Sequence, residues 1–418
     1  MRDDLISGGG TVRLPQPQPD SDPAQPVKLR TPALDLLRGI AVLGILLVNI
    51  YSFALPEAVR VEPLLLPDYS AREQFFWYLI YFFADGKFIA LLSLAFGASL
   101  WLFAVDKSAL SPSRLDQLQW RRSLSLLVLG AAHAYLLWDG DVLVTYALFS
   151  LLVWRWRGWS DKRLIAAALC IFALETLLYG SMFLMPADSW QDISGMFDEQ
   201  SLLQEVAHFQ QGWWQQTPQR VSKAFEMQLA AVFGGWFPAS MMLIGVVLAR
   251  RGFFSGNFMV SSAGLWWLGF GAASFMLVVL LVNRAHGFAS QFSLTLGMQL
   301  QILASGLMAI VYALLICRWA RCGSRSRVGA LLCAALIAVG RMALTIYIMQ
   351  TFIFTGLFYG YGLGWYGQWS LSQLLVLIPV VWLCQAAFAL YWLRYFHAGP
   401  IEAFWRWVIY RRVEPFRR

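Results

Sequence analysis

Four groups of polar residues interrupt otherwise apolar stretches of this sequence, and each has a chemistry to offer. His133 precedes Trp138-Asp139-Gly140-Asp141. A carboxylate from Asp139 or Asp141 that accepts one imidazole N–H fixes the tautomer and raises the basicity of the other nitrogen. That is the arrangement of a general base, or half of a proton relay. The plainer reading is a buried ring bonded to backbone, with the two aspartates capping the next helix. Asp35 and Arg38 are three apart, so they share a helix face and can neutralise each other. Asn49 follows on roughly that face, about 21 Å further along. This is either a polar stripe into the membrane or an end-of-helix ion pair plus one interhelical hydrogen bond. Arg341 lies inside an apolar run with Thr345 on its face, while Gln350 points the other way. A buried arginine requires a carboxylate or a bound phosphate. Arg341 therefore holds either a substrate or an internal partner among Asp35, Asp85, Asp139, Asp141 and Glu175. Asp85 and Lys87 flank Gly86; two residues apart they do not face each other, so each has its own partner in a local turn, structural or substrate-binding. His208, His286 and His397 read as solvated.

Composition decides what must position these groups. Of 418 residues, 59% are hydrophobic and 13% charged, leaving too little polar surface for a water-exposed globule. Disorder and a large basic nucleic-acid face are excluded on the same ground. The surplus of 32 Lys+Arg over 24 Asp+Glu fits basic cytoplasmic loops. The five cysteines lack metal-ligand spacing, and no metal is expected. No P-loop, GxGxxG or HExxH occurs, which argues against an ATP-driven pump. Met1 to Arg30 is polar and has no apolar run of the kind a signal peptide needs.

Apolar runs long enough to cross about 30 Å of hydrocarbon as helices fall at 33–54, 75–103, 120–137, 141–156, 164–185, 227–249, 261–281, 300–318, 330–354 and 371–393. Alternate loops are rich in Lys and Arg, from Lys107/Arg114/Arg121/Arg122 to Arg318/Arg321/Arg325/Arg327 and the tail at Arg417/Arg418. The loops between them hold few, so both termini are expected in the cytoplasm. The prediction is an all-α, polytopic bundle of about ten transmembrane helices. It divides into a disordered cytoplasmic tail (1–32), an N-terminal five-helix half (33–185), an outer loop or cap (186–226), a C-terminal five-helix half (227–393) and a cytoplasmic amphipathic tail (394–418).

The chain resembles the YeiB-like family of bacterial inner-membrane proteins, a domain of unknown function sometimes linked to transport. The resemblance rests on LDLLRGIAVLGILLVNI (Leu34–Ile50), GKFIALLSLAFGASL (Gly86–Leu100), GAAHAYLLWDGDVLVTYA (Gly130–Ala147), MMLIG (Met241–Gly245), GRMALTIYIMQ (Gly340–Gln350) and WLRYFHAGPIEAFWR (Trp392–Arg406). The opening motif is also similar to that of transmembrane acyltransferases, including the heparan-glucosaminide acetyltransferases. Asp35, Arg38, Gly39 and Asn49 match in type and spacing; the histidine those enzymes carry shortly after the asparagine is absent here, and Arg60 occupies its region. The resemblance implies localisation in the bacterial inner membrane and acetyl-CoA or another acyl-CoA as donor, with Asp35 and Arg38 on the donor side.

Two activities follow as expectations. An acyltransferase would use His133, Asp139 or Asp141, and Asn49 to move an acyl group onto a glycan or lipid-linked acceptor at the outer face. A transporter or flippase would bind a small anionic or lipid-linked substrate at Arg341, Thr345, Asp85 and Lys87. A non-catalytic scaffold is the third reading. The partners expected are membrane lipids and the acceptor, not nucleic acid, and a homodimer is compatible with the sequence. Antiparallel spans place His133 and Asn49 in the outer half, Asp35 and Arg38 near the cytoplasmic face and Arg341 near mid-depth, all lining one polar cavity. The acyltransferase reading needs that cavity to open to the cytoplasm at Arg38 and to reach His133, and a His133 sealed in apolar contact counts against it.

Overall fold

The computed structural model describes residues 31–65, 70–186, 190, 197–255, 260–322 and 326–411. The tail expected over residues 1–30, most of 187–196 in the outer loop, and 412–418 lie outside the described residues. Every element among the described residues is helical. In chain order these are α1 (Pro32–Gly44), α2 (Leu46–Ala54), α3 (Glu57–Val61), α4 (Ala71–Phe83), α5 (Lys87–Asp106), α6 (Pro112–Leu136) and α7 (Leu143–Trp156). They continue as α8 (Asp161–Met182), α9 (Glu199–Phe209), α10 (Trp213–Phe233), α11 (Phe237–Arg250), α12 (Ser262–His286) and α13 (Met298–Cys322). The last four are α14 (Arg327–Arg341), α15 (Ala343–Phe358), α16 (Leu371–Tyr395) and α17 (Pro400–Tyr410).

Local sequence sets many of the starts. Ser70, Ser111, Ser160, Ser261 and Ser326 each accept a hydrogen bond from the backbone N–H three residues on, which starts α4, α6, α8, α12 and α14. Pro32, Pro112 and Pro400 occupy first turns, where a missing N–H costs nothing. Gly86, at φ 78, takes the left-handed conformation that turns α4 into α5.

Each of the ten apolar runs coincides with a helix, a broken helix or a bent pair. Six are long and apolar enough to cross a membrane, and up to eight if each bent pair is one span. The remaining two expected spans, α6 and α7, fall short of that measure by length and composition. The first third of α6 is polar, and α7 has 14 residues, about 21 Å against a hydrocarbon core of about 30 Å. The bent pairs are α10–α11, at 55°, and α14–α15, at 85°.

The first span is the axis of the bundle. Of its most apolar stretch 67% is buried, against 17% for α8, 22% for α12 and 28% for α16, which show large apolar side chains outward. Such faces belong against lipid, and the chain is a multi-pass membrane protein. Small residues let the central helices touch. A Cβ at Gly39 would collide with the Leu336 carbonyl, and one at Gly340 with the Asp35 carbonyl, where α1 crosses α14. Gly97 and Gly245 do the same where α5 crosses α11, against Met242 and Leu94.

Gly340→Val overpacks the α1–α14 crossing and is expected to cost about 1–3 kcal/mol or more. Gly271, in α12, has open space where its Cβ would stand, so Gly271→Ala should be neutral or stabilising by up to about 1 kcal/mol. Thermal unfolding of the detergent-purified protein checks both. A Gly340→Val protein as stable as the parent would contradict the crossing.

Candidate functional site

The last turn of α6 carries His133, and the loop to α7 brings Asp141 back to it. Nδ1 of His133 lies 2.8 Å from Oδ1 of Asp141, and Nε2 lies 2.9 Å from the Thr351 hydroxyl on α15. With Asp141 accepting, Nδ1 donates, and in the neutral ring Nε2 is left to accept the Thr351 proton. The other Asp141 oxygen accepts from the Val144 N–H at 2.8 Å, so one carboxylate orients the imidazole and caps α7. The side chains of His133 and Asp141 are each 1% exposed. Tyr347 and Trp138 wall the ring, with centroids at 5.1 and 6.2 Å. Phe53 of α2 stacks on Trp138 at 4.3 Å and on Phe354 at 5.6 Å, bringing the first span against this cluster. Asn49, one turn before Phe53, is half-buried, and its amide makes no hydrogen bond among the described residues.

Asp139 takes a different direction. It enters a cleft lined by Phe209, Gln216, Arg220, Lys223 and Tyr359, at the end of the bundle covered by α9 and α10. Burial pushes its carboxyl above the ordinary range, and Lys223 nearby opposes that shift. Lys223 is held by Glu57 at 3.3 Å and Glu205 at 3.8 Å.

The opposite end of the bundle is basic. Arg38 pairs with Asp35 at 2.6 Å, and its Nε is buried without a partner among the described residues. Arg122 stacks on Phe103 at 4.2 Å and faces Trp405 at 5.7 Å. Arg38 and Arg406 lie within electrostatic range of it. Arg122 meets no carboxylate in an ion pair among the described residues, so this corner carries excess positive charge.

Arg341 also belongs to the basic end. Its guanidinium donates to the His397 carbonyl at 3.1 Å, beside the crossing of Gly340 with Asp35. The expected mid-depth position is corrected by the break at Met342, which ends α14 and sends α15 off at 85°. The freed N–H groups at that break are met from the C-terminal helix. Glu402 of α17 accepts from Leu344 N at 2.8 Å, Thr345 N at 3.0 Å and the Thr345 hydroxyl. Burial pushes the Glu402 carboxyl up, and these bonds pull it down. Thr345 thus serves α17 docking. In the second bent pair, Glu175 of α8 faces the N–H groups of Trp236 and Phe237 at the start of α11.

Asp85 and Lys87 close the α4–α5 turn. Asp85 accepts from Arg60 at 3.2 Å and Gln301 at 2.8 Å, while fully buried Lys87 donates to the Tyr81 carbonyl at 2.7 Å. The expected single cavity is therefore replaced by separate places. His133 and Asp141 form one centre, Asp35, Arg38 and Arg341 lie at the basic end, and Asp85 and Lys87 fill a turn. Thr351, Glu402 and Arg220 escaped the sequence reading. Thr351 stands one residue beyond Gln350 in an apolar run, where hydroxyls usually bond their own helix.

Fold and site together define a multi-pass helical membrane protein with two bent helix pairs and a sealed Asp–His–Thr chain. The chain belongs to the YeiB-like family. It is 32% identical to the uncharacterized protein YeiB of Escherichia coli over 400 residues, covering 92% of this chain and 98% of that protein. It is 26% identical to the uncharacterized protein YxaH of Bacillus subtilis over 414 residues, covering 93% and 96%. Residues 248–412 match the family described as a protein of unknown function, DUF418. No solved structure matches the chain.

Glu402→Ala removes the cap of α15 and is expected to cost about 1–2 kcal/mol. It should also speed proteolysis at residues 396–399 by releasing α17. Limited proteolysis checks this, and an unchanged cleavage rate would count against the docking.

Proposed function

We propose that the protein is an integral membrane acyltransferase whose proton-handling centre is Asp141–His133–Thr351. The observation that carries the reading is the continuous hydrogen-bonded chain from carboxylate through imidazole to hydroxyl. This is the geometry in which a ring nitrogen takes a proton from an attacking oxygen. The Thr351 hydroxyl occupies the position an acceptor hydroxyl would take. Such an acceptor loses its proton to Nε2, its oxygen attacks the thioester carbonyl, and the C–S bond breaks. The departing thiolate then takes the proton back from His133. Asn49, with its free amide on the neighbouring helix, is the donor suited to the carbonyl oxygen as negative charge builds there.

The basic end supports the donor side. Arg38 and Arg122 offer the excess positive charge that the phosphates of a coenzyme A thioester need. From Arg38 to Phe53 the first span runs about 22 Å, a length the reading asks an extended pantetheine arm to match. The excess of Lys and Arg supports a cytoplasmic side for this end, and on this reading the acceptor, a glycan or lipid-linked hydroxyl or amine, arrives from the outer face of a bacterial inner membrane.

The bent pairs α10–α11 and α14–α15 favour a second reading, transport, because discontinuous helices aim their N-terminal dipoles at anionic substrates. Here Glu175 and Glu402 already occupy those positions. Arg341 donates to the His397 carbonyl at the basic end, which does not favour a mid-membrane anion site there.

Purified protein given labelled acetyl-CoA and a glycan mixture should transfer label. His133→Ala should lower the rate by about a hundredfold or more, and Asp141→Asn should approach that loss. Arg122→Ala should weaken coenzyme A binding, which His133→Ala leaves intact. Neither transfer nor coenzyme A binding in the parent would end the reading.

A further inference from the structure

Three carboxylates stand at helix starts inside the bundle, and two of them use both oxygens. Asp141 meets His133 with one and the Val144 N–H with the other. Glu402 accepts from the Leu344 and Thr345 N–H groups with one and from the Thr345 hydroxyl with the other. Glu175 differs. It is 2% exposed and its carboxyl faces the N–H groups of Trp236 and Phe237, yet its Oε2 is buried with no partner among the described residues. The joint it faces is seated on α8. A Cβ at Gly234 would lie 3.3 Å from Leu178 and from Tyr179, one turn beyond Glu175.

Among the described residues no side chain balances that carboxylate. α8 packs on α11 and on the π-helical turn Ser293–Gly297 that leads into α13. The charged side chain of α11 is Arg250, at its far end, where it meets the Trp159 carbonyl and Asp161. The π-helical turn has no titratable side chain, and Gln299 at the start of α13 meets the Thr176 hydroxyl at 3.4 Å. Glu226 of α10 accepts from Ser222. Tyr179 is the titratable group within electrostatic range. Glu175 lies about 21 Å along α8 from Asp161, well inside a membrane span. A carboxylate there meets its cost with a counter-ion or by taking up a proton.

We propose that Glu175 is a reversible proton-binding site at the joint between α10 and α11, and that its occupancy sets how firmly the first turn of α11 is held. A proton from water adds to Oε2 as an O–H, and the side chain passes from one negative charge to none. The ionised form attracts the Trp236 and Phe237 N–H groups with its charge; the neutral form accepts about half as strongly. The joint, bent by 55°, is then freer to change its angle. α10 carries that freedom outward. Trp213 Nε1 donates to the Leu136 carbonyl at 2.9 Å and Arg220 Nε to the Tyr135 carbonyl at 3.1 Å, so α10 is bonded to the last turn of α6, beside His133. The inference stands without the acyltransferase reading.

The test uses the full chain in nanodiscs. Infrared difference spectra across a pH titration should show the carbonyl stretch of a neutral carboxylic acid at low pH, replaced reversibly by carboxylate bands as pH rises. Glu175→Gln should remove that change, and sodium and potassium chloride should give the same titration. Dicyclohexylcarbodiimide, which reacts with neutral carboxyls in apolar surroundings, should label Glu175 of the parent on the acid side only. Amide hydrogen exchange at Trp236 and Phe237, corrected for its intrinsic pH dependence, should be about fivefold or more faster in the acid form. Glu175→Gln, which is always neutral, should exchange fast at both ends of the titration. Should that variant fail to fold, the labelling and exchange of the parent decide the matter. A Glu175 that keeps one charge state wherever the protein is folded, a titration displaced by sodium, or exchange that does not follow the titration overturns the proposal.

Discussion

A polar group inside hydrocarbon has no water to turn to, and this constraint decides where the helices of the protein break and which side chains meet. Three carboxylates carry the solution. Asp141 caps α7, Glu402 caps α15 and Glu175 faces the start of α11. Each stands at the N-terminus of a helix that begins inside the packed bundle. Two of them draw a distant element into place in doing so. Asp141 secures α6 through His133, and Glu402 secures the C-terminal helix.

Function follows from what those caps leave over. Asp141 has two oxygens, and only one is needed for the helix; the other holds an imidazole whose far nitrogen reaches Thr351. At the opposite end, the guanidinium groups of Arg38 and Arg122 outnumber the carboxylates that meet them among the described residues. The first span connects the two ends and is the most buried of the six spans. The proposed acyl donor, with an anionic head and a reactive tail, draws on that polarity.

Much of this was legible in the residues. Apolar runs located the membrane helices because hydrophobicity over about 20 residues is a strong signal. The proximity of His133 to an aspartate was legible because both belong to one short turn. The partner across the bundle was not. Thr351 is 218 residues away from His133, and nothing in an apolar run marks one hydroxyl over another. Arg341 was misplaced for a related reason. Its run reads as one continuous helix, and the break at Met342 is stabilised by Glu402, from a segment that reads as a surface anchor. Asp139 and Asp141 looked equivalent; only the turn between them sends one to the imidazole and the other to the cleft.

The most direct measurement is an experimental structure with a non-hydrolysable thioether analogue of acetyl-CoA bound. The account predicts its phosphates at Arg38 and Arg122, its arm along α1 and α2, and its carbonyl within hydrogen-bonding reach of Asn49 and beside His133. An analogue bound elsewhere, or one whose carbonyl lies at the basic end with the imidazole still sealed behind Trp138 and Tyr347, would contradict it.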